Sequence, residues 1–431
     1  MREMKDSGIP WVGKIPSQWK TMRGKYLFTN SKGKVGTKVN EYERLALTLH
    51  GVIKRSKNDT EGLQPAEFNT YQILRKNELV FKLIDLQNIS TSRIGLSPYD
   101  GIVSPAYIIL KAKKNIIPAF AEKYYLMMWI NHIFNALGDS GVRSSLNARE
   151  LLEINVPLPP IEEQRRIANY LDSKCAKIKS IKKNVEAEME ALKQHKRSII
   201  AEAVTKGLDK NVEMKDSGIP WIEEIPENWT VMRTRNIAYI SIGLVTTMTA
   251  NYVGKEEGVP LIRNSNIKCN QISYENMAFL SNKFAIANQN RRLHEGQIVT
   301  VHTGDIGTSA IIPKKLDGCL GFATIQSTPN SQFINPKFLC WEYNSTFFKN
   351  QCIAYCTGDG RQNLNLYDFI NLRVIVPPVH EQLEIASYLD SKCSDIDSII
   401  SDKQKQLEIL NEYKKSLIYE YVTGKKEVPA V

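Results

Sequence analysis

The sequence lacks almost every short signature from which catalysis is usually read. There is no GxxxxGK[ST] phosphate loop; Ser31–Lys38, SKGKVGTK, carries the right residue types at the wrong spacing. No HExxH occurs, and no Cys and His residues cluster in a way fit for zinc. The tetrapeptide of Asn or Asp, two prolines and an aromatic that amino-methylating enzymes use is absent. The six histidines lie far apart, and none pairs with an obvious nucleophile. These absences weigh against an enzyme, although an active site can also be assembled from distant residues. Seven cysteines are scattered without a disulfide framework, and Cys352 and Cys356 have no second pair near them, so free thiols in a reducing cytoplasm are expected. No apolar run approaches a membrane span, and the opening MREMKDSGIPW lacks the apolar core of a signal peptide. A soluble, cytoplasmic protein without a membrane partner is the expectation.

What is present is ample. At 431 residues the chain is too long for one core, and two to four domains are expected. Its 42% hydrophobic and 9% aromatic content are those of an ordinary folded protein. The net charge is +11, which suggests a polyanionic partner.

An internal repeat precedes any motif. MKDSGIPW at Met4–Trp11 recurs letter for letter at Met214–Trp221, and Ile15-Pro16, Trp19 and Met22-Arg23 recur as Ile225-Pro226, Trp229 and Met232-Arg233. The offset is 210 there and 218 further on, where Arg143, Leu146 and Asn147 match Arg361, Leu364 and Asn365. The protein is thus a duplicated unit of start motif, variable region and long helix. The variable regions, about 20–155 and 230–373, do not resemble each other closely, so the frame is duplicated while its filling differs. Both read as mixed α+β: strand-like runs such as Leu79–Ile84, Ile102–Leu110 and Gln297–His302, with helical candidates at Ala119–Ala136 and Pro336–Phe348.

Each copy ends in a long helical signal, Val156–Thr205 and Val374–Thr423. A double proline, Pro159-Pro160 or Pro377-Pro378, sets up the helix start. Glu162 and Glu163, or Glu381 and Glu384, then complement the positive end of the helix dipole. Apolar residues recur every seventh position: Leu171, Ile178, Val185, Leu192 and Ile199 in one helix, Leu389, Ile396, Leu410 and Leu417 in the other, with Lys403 breaking the second series. A partial second seam holds Cys175, Met189 and Ala203, and Cys393, Ile400, Leu407 and Tyr421. Such a repeat is a coiled-coil seam, and about 45 residues would span roughly 65–70 Å. Residues 161–205 carry net +3 and residues 379–423 net −4, so the helices favour each other over self-pairing. Dimerisation of each helix with another chain would leave that asymmetry unexplained. Together the helices contribute −1, and the basic surplus lies outside them.

Loops rich in Arg, Lys, Asn, Gln, Ser and Thr offer the side chains that hold phosphates and read base edges. The candidates for DNA contact are Lys54, Arg55, Lys57, Arg93, Arg143, Ser144 and Asn147 in the first region. In the second they are Arg263, Asn264, Asn266, Arg291, Arg292, Thr303, Arg361, Gln362 and Asn363. The competing reading of any one loop is a solvated surface. The recurring RxxLN pattern, Arg143–Asn147 and Arg361–Asn365, is more specific, yet a turn that docks the domain on a helix start explains its Leu and Asn equally well.

The duplicated KDSGIPW…IP..W, the VPLPPxEEQxxIAxYLD helix opening and the VT ending resemble the specificity subunit of type I restriction-modification systems, over the whole chain. The resemblance implies two target-recognition domains (1–155 and 211–373), each reading half of a bipartite site in double-stranded DNA. It implies two spacer helices (156–210 and 374–431, the latter with the C-terminal tail) forming an antiparallel coiled coil in a pseudo-twofold repeat. It further implies no catalysis and no bound cofactor in this chain. Two modification subunits would methylate adenine with S-adenosylmethionine, and two restriction subunits would translocate and cut DNA with ATP and Mg. Lys403 departs from the seam, as a register device or as a residue facing a partner subunit. The alternatives are a self-contained methyltransferase or nuclease, disfavoured by the missing motifs, and a coiled-coil scaffold, which needs no basic, unlike lobes.

Overall fold

In the computed structural model, residues 2–49, 51–59, 67–86, 93–137, 145–219, 221–246, 248–356 and 362–429 are described. The repeated start motif folds the same way twice. Asp6 Oδ1 accepts from Gly8 N at 3.0 Å and Ser7 Oγ from Ile9 N at 3.1 Å; in the second copy Asp216 and Ser217 receive Gly218 N and Ile219 N at 2.9 and 3.0 Å. These side chains mimic a backbone turn. Each turn sits in a short hairpin, Met4–Asp6 with Lys14–Pro16 and Met214–Asp216 with Glu224–Pro226.

The chain divides into two compact units, and each includes one part of each long helix: Met1–Val185 with Gln404–Val431, and Glu186–Lys403. In the first unit one four-stranded sheet runs, in spatial order, Gly51–Arg55, Arg44–Thr48, Gly101–Val103, Gln72–Leu74. A second runs Phe28–Ser31, Ile108–Ala112, Leu79–Phe81, Ile94–Leu96. The run Ile102–Leu110, which reads as one strand, is two strands in different sheets, because a turn closed by Tyr107 N to Ser104 O interrupts it at Pro105. The helical run Ala119–Ala136 likewise divides, into Pro118–Ile130 and Ile133–Leu137, with His132 between them at φ 57°.

The second unit repeats both sheets. Ala278–Ser281, Gly258–Ile262, Cys319–Gly321 and Arg292–Leu293 form one; Ala238–Ile242, Thr324–Pro329, Ile298–Val301 and Ser309–Ile311 form the other. In both units the first sheet has one parallel pair at its centre and antiparallel neighbours outside it. Pro336–Phe348 also divides here, into Pro336–Tyr343 and Thr346–Ala354, the second capped by the Ser345 hydroxyl on Phe348 N.

The repeated helix openings are locks. Trp19 Nε1 donates to Glu163 Oε2 at 3.0 Å, and Trp229 Nε1 to Glu381 Oε2 at 2.9 Å. Gln164, fully buried, accepts from Ile117 N (2.8 Å) and donates to Asn115 O (3.2 Å) and Pro159 O (2.9 Å). Gln382 does the same with Asn335 N (2.6 Å), Phe333 O (2.9 Å) and Pro377 O (2.8 Å). One side chain thus satisfies three backbone groups at the junction of domain and helix, groups that would be costly to bury unpaired. The far ends of the helices close on the same tryptophans. Gly207 follows the first helix at φ 76° with its Cα against Trp229, and Gly424 follows the second at φ 72° against Trp19 and Pro16; a Cβ would lie 3.1 and 3.0 Å from the respective rings. Both conformation and space demand glycine.

The long helices, Ile161–Lys206 and Val379–Val422, run 46 and 44 residues and pair antiparallel. Within the first unit the Tyr170 ring packs tilted against that of Tyr421 and Lys182 Nζ donates to Asn411 Oδ1 at 2.8 Å. Leu171, Ile178, Val185 and Leu417 are buried there and Leu410 half-buried. Within the second unit Lys196 pairs with Asp397 at 2.6 Å, Leu389 and Ile396 are buried, and Leu192 and Ile199 are half-buried. The interior positions near the end of the first helix pass to Ile200, Ala203 and Val204. An α-helix of 3.6 residues per turn drifts about 20° per heptad, and these residues share one core cluster with Ile385, Leu389 and Cys393 of the facing helix and with the domain. Lys403, the interruption in the series, pairs its ammonium with Glu188 of the facing helix. No helix among the described residues is long and apolar enough to cross a membrane.

Candidate nucleic-acid interface

In the second unit the strand Ile298–Val301 runs on to His302, and the chain returns beside it at Asn363. Thr303 and Asn363 form an isolated antiparallel bridge, and Leu364 N donates to His302 O at 3.0 Å. On this backbone the Asn363 amide oxygen accepts from His302 Nδ1 at 2.6 Å and from Thr303 Oγ1 at 2.7 Å. An amide oxygen can only accept, so the imidazole carries its proton on Nδ1. Asn264 reaches the same place, its Nδ2 donating to Thr303 O at 3.4 Å. Three segments distant in sequence thus bring Asn264, Thr303 and Asn363 into one polar cluster with His302, and Gln362 is exposed next to Asn363. Beneath it, Asn344 holds the loop: its amide exchanges hydrogen bonds with Ser309 N (3.1 Å) and Ser309 O (2.8 Å) and donates to Asn270 Oδ1 (3.1 Å). The Asn264 Oδ1 and His302 Nε2 atoms are buried without a partner among the described residues.

The other candidates of this unit lie elsewhere. Arg263 donates to Asn276 O, and Arg291, exposed, reaches Ile242 O and Gly243 O at 3.2 and 3.3 Å. Arg292 is half-buried at a strand end against Gly318. Asn266 is fully buried; it accepts from Arg263 N and donates to Ser273 O and Glu275 O, each at 3.1 Å. Its amide is spent on holding a turn. Arg361 lies outside the described residues, as do Arg143 and Ser144 of the first unit.

The first unit has the same backbone and a different surface. Leu146 N donates to Leu83 O at 2.9 Å, so Leu83 and Ile84 occupy the places of His302 and Thr303. Leu83 is buried and Ile84 is 42% exposed; an apolar step replaces the polar cluster. Arg93, 1% exposed, donates to Ile84 O (3.1 Å), Asp85 O (2.5 Å) and Lys82 O (3.4 Å), so it holds this loop from beneath instead of presenting its charge outward. Burial, and then the neighbouring Arg93, draws the Lys82 ammonium below its ordinary pKa. Lys54 lies exposed over the Tyr99 ring at 5.4 Å, Arg55 pairs with Asp59 at 2.5 Å, and Lys57 donates to Val39 O at 2.6 Å. Asn147 is an N-cap: its side-chain oxygen accepts from Arg149 N and Glu150 N, while the Glu150 carboxylate accepts from Asn147 N at 2.8 Å. With Leu146 and Leu364 both buried, docking accounts for the Leu of the RxxLN repeat, whereas Asn365 stands before its helix without the side-chain cap that Asn147 makes.

Sequence reasoning passed over His302 as an isolated histidine, because its partner lies 61 residues away. It also did not assign Glu163 and Glu381 their tryptophan partners, although the exact recurrence of Trp19 as Trp229 was the available signal. Among the described residues no group of three or more His, Cys, Asp or Glu could hold a metal ion.

One frame folded twice, with a different loop surface on each copy and a shared pair of long helices, defines a tandem recognition protein. The family model described as Type I restriction modification DNA specificity domain matches residues 16–191 and again 226–409, and the chain belongs to that family. It is a DNA-binding specificity subunit with two target-recognition domains. It is 26% identical over 341 residues to the type I restriction enzyme MjaVIII specificity subunit of Methanocaldococcus jannaschii, covering 76% of this chain and 75% of that protein. It is 21% identical to the EcoKI specificity subunit of Escherichia coli K12 over 96% of this chain and 90% of the other. A solved chain from work on assembly and conformational transition of the type I R-M system shares the fold, with a TM-score of 0.73 at 14% identity over 96% of this chain and 99% of that one.

Proposed function

We propose that this chain reads a bipartite sequence in double-stranded DNA, one half-site by each recognition domain (1–155 and 211–373), and performs no chemistry itself. The observation that carries the reading is the substitution of Leu83-Ile84 by His302-Thr303 at one backbone position of a duplicated frame. Two unlike surfaces on like supports suit two unlike half-sites. The basic surplus outside the helices supplies phosphate attraction, which makes binding strongly salt-dependent. Lys54 and Arg291, both exposed, are our candidates for the phosphate contacts.

The long helices then serve as a spacer whose residue count sets the distance between half-sites, near one DNA turn of about 34–36 Å. In this reading the chain works in the cytoplasm and recruits two modification and two restriction subunits. S-adenosylmethionine, ATP and Mg are bound by those partners and not by this chain. Exchange of residues 20–155 for another recognition domain tests the modular claim: one half of the methylated motif changes and the other stays. A change in both halves, or methylation or cleavage by the purified chain alone against an empty-vector control, contradicts it.

A further inference from the structure

The asparagine side chain ordinarily reads adenine with both ends of its carboxamide: the oxygen accepts from N6–H and the nitrogen donates to N7. Asn363 does not have both ends available. Its oxygen already accepts two hydrogen bonds, from His302 Nδ1 and Thr303 Oγ1, which fill its two lone pairs. The backbone bridge Thr303–Asn363 and the Leu364 N to His302 O bond fix the same geometry from the main chain. The amide nitrogen, with no hydrogen-bond partner among the described residues, keeps its two N–H donors for an outside group. Asn363 is itself half-buried and Gln362, next in the chain, is exposed, so the pair stands at the surface of the domain.

We infer that Asn363 is a specificity-determining residue of the second recognition domain and acts as a donor-only reader, selecting guanine, whose major-groove edge offers the acceptors N7 and O6, against adenine, which needs an acceptor opposite N6. His302 and Thr303 are positioning residues: by occupying the amide oxygen they remove the one feature that would let asparagine accept adenine. Among the described residues of the first domain nothing equivalent stands, and Leu83 and Ile84 hold these places. The inference rests on the proposal that the chain reads DNA, and it names which group reads which edge.

The test is long-read mapping of methyladenine in cells carrying the full chain with its modification subunits, comparing wild type with Asn363→Ala, Thr303→Val and the double change His302→Phe with Thr303→Val. A lost bidentate base contact costs roughly 5- to 150-fold in discrimination. The expected wild-type motif has guanine at one position of the second half-site. Asn363→Ala makes that position degenerate and leaves the first half-site intact, which also reports that the protein is folded and assembled. The double change frees the amide oxygen, and adenine becomes accepted beside guanine at that same position. An Asn363→Ala motif identical to wild type, or relaxation at a position that is adenine in wild type, overturns the inference while leaving DNA reading in place. Should Asn363→Ala methylate nowhere, Thr303→Val decides, since it keeps Asn363: widening from guanine to either purine supports the inference, and an unchanged motif sinks it. If wild type yields no bipartite motif at all, the failure belongs to the DNA-reading proposal and the inference falls with it.

Discussion

Replacing Gln382 by leucine should loosen the second recognition domain from its helix and leave the first untouched. Gln382 is fully buried and bridges Asn335 N, Phe333 O and Pro377 O at 2.6–2.9 Å. Leucine has nearly the same bulk and no polar atom, so all three backbone groups lose their partner inside the protein. An unpaired buried donor or acceptor costs about 1–3 kcal/mol, giving roughly 3–9 kcal/mol for the three groups. The better burial of leucine offsets about 1–2 kcal/mol of that. The net loss, about 1–8 kcal/mol, is a large part of the 5–15 kcal/mol that ordinarily holds a domain. Hydrogen exchange on peptides covering residues 330–345 and 374–390 reads the effect directly: faster exchange in Gln382→Leu, with residues 113–120 and 156–166 unchanged. Gln164→Leu should give the mirror image. Equal protection in wild type and variant, or loosening of both units by either change, would refute the idea that each glutamine locks its own domain.

Two further outcomes follow from the geometry. Glu342 is wholly buried, with Oε1 on Ile375 N at 2.5 Å and Oε2 unpartnered, and burial pushes its carboxyl pKa well up. The folded state therefore holds the proton more tightly than the unfolded one, so this group's contribution to stability is full below the unfolded pKa, about 4.3, and is lost as pH rises toward the folded value. Glu342→Gln should thus gain on wild type in denaturant melts as pH rises from 5, by at most about 1.4 kcal/mol per pH unit; a pH-independent difference contradicts this. Inserting four residues in step into both long helices adds about 6 Å of rise and should lengthen the DNA spacer in the methylated motif, whereas an unchanged spacer refutes the ruler.

The frame was legible because it is written twice. Trp19 and Trp229, Glu163 and Glu381, and Gln164 and Gln382 recur since each pair builds the same lock. Sheet order was not legible, because the strands are mostly three to five residues long and the central parallel pair joins Arg44–Thr48 to Gly101–Val103 across half a domain. The candidate interface was drawn by residue type and not by role. Asn147, Asn266 and Arg93 have the chemistry of DNA readers, yet the same groups cap helices, hold turns and satisfy carbonyls, and in this fold they do. His302 could be recognised only once the fold had set it against Asn363.

The most direct measurement of the whole account is the distribution of methyladenine in the genome of cells that carry this chain with its modification subunits, against cells lacking this chain alone. The account predicts one bipartite motif, two defined half-sites around a fixed unspecified gap, that vanishes when the chain is removed. Methylation that persists without the chain, or a motif that is continuous or of variable gap, contradicts it.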